Sequence, residues 1–135
     1  RRHRATSNIC SNETLIALMG AMHMSLLGPE GLERLALRGT AATQIALETV
    51  ASIEGVELIY PESPVFREFA VRLPCSSREA LERMDSMGVM GGFDLSQWWA
   101  PMGDCLLIGC DERTTKEDIE SLSSALSASI SEVSS

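Results

Sequence analysis

Gly55-Val56-Glu57-Leu58-Ile59-Tyr60 and Glu68-Phe69-Ala70-Val71-Arg72-Leu73 are the two stretches on which the fold turns. Val56, Leu58 and Tyr60 alternate with Glu57 and Ile59, and Phe69, Val71 and Leu73 alternate with Glu68, Ala70 and Arg72. That period of two is the pattern of a strand with one face buried. Pro61, Ser63 and Pro64 make the turn between them, and Pro74 closes the second strand.

Toward the C-terminus, Ser76 and Glu79 have the spacing of a capping box and predict a helix from Ser77 to Met87, ended by Gly88. Val89-Met90 predicts a short extended segment. Gly91 to Gly103, holding Phe93, Trp98, Trp99 and Pro101, predicts an irregular stretch. Cys105-Leu106-Leu107-Ile108-Gly109-Cys110 is apolar on both faces, as a central strand is. Thr114 and Glu117 predict a second capping box, opening a helix with Ile119, Leu122, Leu126, Ile130 and Val133 inward and its serines in water.

Toward the N-terminus, Asn12 reads as a helix cap before Leu15, Ile16, Met19, Met22, Leu26 and Leu27, with Gly28 as the stop. Ala17, Gly20, Ala21 and Ser25 are small, which predicts a helix covered on two sides. Pro29 starts a second helix whose apolar period runs from Leu32 to Ile53, roughly 25 residues or about 40 Å at the helical rise. The elements together predict an α+β two-layer domain, a mostly antiparallel sheet covered by helices and preceded by long helices. The divisions are residues 1–28 as opening segment and first helix, 29–55 as connecting helix, and 56–135 as the small domain. Strand order does not follow from the pattern.

At 135 residues, 44% hydrophobic and 22% charged, the chain suits one globular domain. Eleven basic residues against nineteen acidic ones, a net charge of -8, exclude a broad cationic surface and argue against nucleic acid as a partner. Polar groups interrupt the apolar stretches well before the ~20 residues a bilayer demands, and no signal-peptide pattern opens the chain, so a soluble cytoplasmic protein with no membrane contact is expected. Cys10, Cys75, Cys105 and Cys110 include no Cys-x-x-Cys pair, which predicts reduced, buried thiols and no metal site.

Lys116 is the chain's single lysine, hence the single Schiff-base candidate. Its place beside Glu117 and Asp118 in a helix's first turn predicts a solvated side chain, so no catalytic residue is assigned. His23 is expected half-buried by packing, and His3 in a solvated tail. Ser7, Asn8 and Asn12 can bond a substrate, a cofactor or a partner, or else cap the helix and brace the turn before it. Gly91-Gly92 can bring backbone N–H groups to an anion, or make a tight turn. Trp98 and Trp99 are equally suited to an interface anchor or to covering the sheet.

Several motifs resemble one family. Arg4-Ala5-Thr6-Ser7-Asn8-Ile9-Cys10-Ser11-Asn12 and Leu27-Gly28-Pro29-Glu30-Gly31-Leu32 are followed in order by Phe66-Arg67-Glu68-Phe69, Gly88-Val89-Met90-Gly91-Gly92-Phe93-Asp94-Leu95 and Glu112-Arg113-Thr114-Thr115-Lys116-Glu117. They resemble the glycine decarboxylase P-protein family, specifically the C-terminal portion of subunit 1 of its two-subunit form, over nearly the whole chain. Arg67 stands where that family usually has asparagine, and Phe93 where tyrosine is common.

The resemblance implies the small domain of a type I pyridoxal-phosphate, aminotransferase-like enzyme, with its subunit's large N-terminal domain absent from this chain. It implies subunit 2 and the lipoyl H-protein as partners in decarboxylating glycine and transferring the aminomethyl group. It also implies pyridoxal phosphate in the complete complex, on a lysine of subunit 2, with none held by this chain, which alone is expected to be inactive and to self-associate. Two other readings are a stand-alone α+β interaction domain and the small domain of another type I enzyme such as an aminotransferase. The latter predicts a substrate-carboxylate arginine in the strand before the last helix, and Cys105 to Cys110 contains none.

Overall fold

The computed structural model describes residues 11–131, with side chains from Glu13 onward. Ser7, Asn8, His3, Cys10 and Val133 lie outside the described residues, as does the side chain of Asn12. The chain forms two compact units, one up to Leu35 and one from Ala36 onward.

Helix α1 runs Ser11–Ala51 and breaks at Gly28, whose φ of 63° and ψ of -178° are not helical. The expected stop and restart at Gly28-Pro29 are therefore present as a kink. In the first unit Leu15, Ile16, Met19, Met22 and Leu26 are exposed, so the covering expected on two sides is not supplied by the described chain. His23 is exposed as well, against the half-buried packing role expected, because its neighbours Met22 and Met24 are themselves in solvent.

By length and composition Glu13–Ala51 could cross a bilayer, which the expectation had excluded by counting only uninterrupted apolar residues. The second unit limits that reading, since Thr43, Ala46 and Val50 of α1 are fully buried in protein. The helical part before the Gly28 kink runs from Ser11 to Leu27, about 26 Å at the helical rise, at the lower limit of what spans a ~30 Å hydrocarbon core.

The second unit continues with β1 (Glu57–Leu58), β2 (Glu68–Arg72), α2 (Ser77–Ser86), β3 (Phe93–Asp94), β4 (Cys105–Gly109) and α3 (Lys116–Ser131). The sheet order is β1-β2-β4-β3, and every pairing is antiparallel. The Cys105–Gly109 strand is internal, as its two-faced apolar sequence required. The short strand expected at Val89-Met90 forms instead at Phe93–Asp94, where Phe93 pairs with Leu107 and Asp94 with Leu106.

Both capping predictions need correction. Ser76 makes no side-chain cap, and its carbonyl simply accepts from Ala80 N at 3.0 Å. At α3 the box is one residue later: Thr115 N donates to Asp118 Oδ2 at 2.9 Å and Asp118 N to Thr115 Oγ1 at 3.2 Å. Thr114 is already engaged, its N–H and hydroxyl both reaching Asp111 Oδ1.

The core lies on one sheet face. Phe69 and Val71 of β2 and Leu106 and Ile108 of β4 pack with Ala46 and Val50 of α1, Ala80 and Met84 of α2, and Ile119 and Leu126 of α3. The alternation turns Glu68, Ala70 and Arg72 of β2, and Leu107 of β4, to the opposite face. Leu107 sits between Ala70 and Phe93 in the register, and all three are partly or fully open to solvent. This is the two-layer α+β domain expected, with one face of its sheet only thinly covered.

Candidate functional site

The best-defined polar site joins the start of α2 to the loop after β3. Asp94 is 2% exposed and Ser77 fully buried. Ser77 Oγ donates to Asp94 Oδ1 at 2.8 Å, and the Ser96 N–H reaches the same oxygen at 2.9 Å. Ser77 also lies at the far end of the loop, its hydroxyl 3.0 Å from the Gly103 carbonyl and its N–H donating to that carbonyl at 3.2 Å. One serine therefore ties down both Asp94 and Gly103, the two ends of the segment carrying Trp98 and Trp99.

Burial by itself would raise the Asp94 pKa, but the hydrogen bonds from Ser96 and Ser77, with the charge of Arg78, hold it below the usual aspartate range. Its Oδ2 accepts no hydrogen bond and faces Arg78 Nε at 3.9 Å. Sequence reasoning missed this pair. The Asp94-x-Ser96 spacing of an Asx turn was a usable local signal, whereas nothing near Ser77 announced its partner.

Gly91 and Gly92 adjoin this site, and close packing accounts for both. A Cβ on Gly91 would stand 2.5 Å from Met84 Sδ, and one on Gly92, at φ 128°, 2.5 Å from the Leu107 carbonyl oxygen. These glycines let β3 lie against β4 and α2.

A second polar contact spans the domain. Arg67 Nη2 donates to Glu112 Oε2 at 2.9 Å, and the guanidinium lies over the Phe66 ring, 5.6 Å from its centroid. Arg67 Nε has no hydrogen-bond partner and would be 3.2 Å from a Cβ on Gly39 of α1, so an alanine there would make the guanidinium shift by a few tenths of an ångström. The departure at Arg67 thus joins β2, α1 and the β4–α3 loop.

Lys116 is 81% exposed and faces Glu120 at 3.4 Å one helical turn away. A Schiff-base lysine is a buried, desolvated group, so this one does not fit a pyridoxal-phosphate site. Cys75, Cys105 and Cys110 are buried free thiols. Burial raises the pKa of each, and Asp104 beside Cys105 helps push that thiol to about 11, so none is an activated nucleophile. Among the described residues no group of acidic, cysteine or histidine side chains could hold a metal ion.

The model of the glycine cleavage system P-protein family matches residues 1–126. The chain belongs to that family. Among relatives, glycine dehydrogenase (decarboxylating) subunit 1 of Desulfovibrio desulfuricans is 42% identical over 119 residues, 88% of this chain and 27% of the relative. That of Chlorobaculum tepidum is 40% identical over 128 residues, 95% of this chain and 28% of the relative. The chain spans under a third of such relatives.

A crystal structure of glycine decarboxylase (P-protein) of the glycine cleavage system, in inhibitor-bound form, superposes with a TM-score of 0.80 at 32% identity. The match covers 96% of this P-protein family chain and 29% of the other. The aminotransferase TlmJ from Streptoalloteichus hindustanus, at 14% identity and TM-score 0.61 over 77% of this chain and 34% of its own, shares the fold. The aminotransferase-like small-domain fold expected from the resemblance is thus present.

Proposed function

We propose that this chain is the C-terminal small domain of subunit 1 of a two-subunit glycine dehydrogenase (decarboxylating), a cytoplasmic enzyme of glycine catabolism. With subunit 2 it decarboxylates glycine and passes the aminomethyl group to the lipoyl arm of the H-protein. The observation that carries this is the P-protein family match over residues 1–126, supported by a superposition covering 96% of the chain.

Pyridoxal phosphate supplies the electron sink for decarboxylation in the complete complex, and its lysine belongs to subunit 2. This chain's contribution is shape. The exposed apolar face of α1 before Gly28 is covered by the large domain of its own subunit, which makes protein, and not lipid, its neighbour. Ser7, Asn8 and Asn12, from the stretch of sequence at the start of that helix, are proposed as interface or substrate-side residues of the complete enzyme.

The test is reconstitution of the full-length subunit with subunit 2, pyridoxal phosphate and lipoylated H-protein, followed by glycine–bicarbonate exchange. Exchange should require both subunits. Exchange that persists when residues 1–135 are deleted from the subunit would overturn the reading.

A further inference from the structure

We draw no further inference here: the strongest candidate, the exposed Trp98-Trp99 loop with the thinly covered sheet face that Phe93 and Leu107 join to it, is an apolar surface patch, and nothing in the structure shows what covers it.

Discussion

Ser77 Oγ and Asp94 Oδ1 lie 2.8 Å apart with both side chains out of solvent, linking the first turn of α2 to the end of β3 across seventeen residues of chain. A buried carboxylate can keep its charge only where donors replace water, and Ser77 and the Ser96 amide do so.

Ser77→Ala should cost about 1–3 kcal/mol, the range for a buried hydrogen bond to a charged acceptor. Because the Ser77 hydroxyl holds the Asp94 end of the tryptophan loop, its loss should loosen that end, seen as a change in intrinsic fluorescence before global unfolding, while the backbone N–H of residue 77 keeps its bond to the Gly103 carbonyl. Urea unfolding at neutral pH measures the first effect.

Asp94 also makes stability depend on pH. Its folded pKa is below the unfolded value, so its stabilisation is full above the unfolded value, near 4, and is lost as pH falls through the folded one. The stability gap between wild type and Asp94→Asn should therefore narrow as pH drops from neutral to below 4. A gap of constant size would show that the carboxylate's charge contributes nothing.

Gly92→Ala should destabilise more than Gly88→Ala. Both residues have positive φ, but a Cβ on Gly88 meets nothing within 4 Å, whereas on Gly92 it meets the Leu107 carbonyl. About 1 kcal/mol is expected at Gly88 and upward of ~2 kcal/mol at Gly92, where backbone must move as well. Thermal melts of the two variants settle the order.

Lys116→Met should leave stability within about 0.5 kcal/mol, since exposed pairs such as Lys116–Glu120 are weak. Borohydride reduction of the wild-type chain incubated with pyridoxal phosphate should give no stoichiometric label at this residue. One-to-one labelling of Lys116 would reverse its assignment as a surface group.

The isolated chain should self-associate at high concentration and bind a hydrophobic dye, because Leu15, Ile16, Met19 and Met22 are exposed together on α1. Leu15→Glu/Met19→Glu should weaken both properties without altering the melting of the second unit. A wild-type chain that stays monomeric and binds no dye would show that this face is covered in solution.

The sequence by itself determined the elements whose causes are local. The kink followed from Gly28-Pro29, the two paired strands from their alternation, and the internal strand from Cys105-Leu106-Leu107-Ile108 being apolar on both faces. The motifs spread over the chain also carried the family. The candidate site was legible only in part, as Gly91 and Gly92 stood out while Ser77 did not.

Tertiary structure decided what depends on distant partners. Ser77 has meaning only beside Asp94 and Gly103, and Gly92 only against the Leu107 carbonyl. The α3 cap moved from Thr114 to Thr115 because Asp111 had claimed Thr114, a competition no single spacing reveals. The exposure of α1's apolar face was likewise beyond reading, because periodicity shows which side chains share a face, while burial depends on what stands opposite.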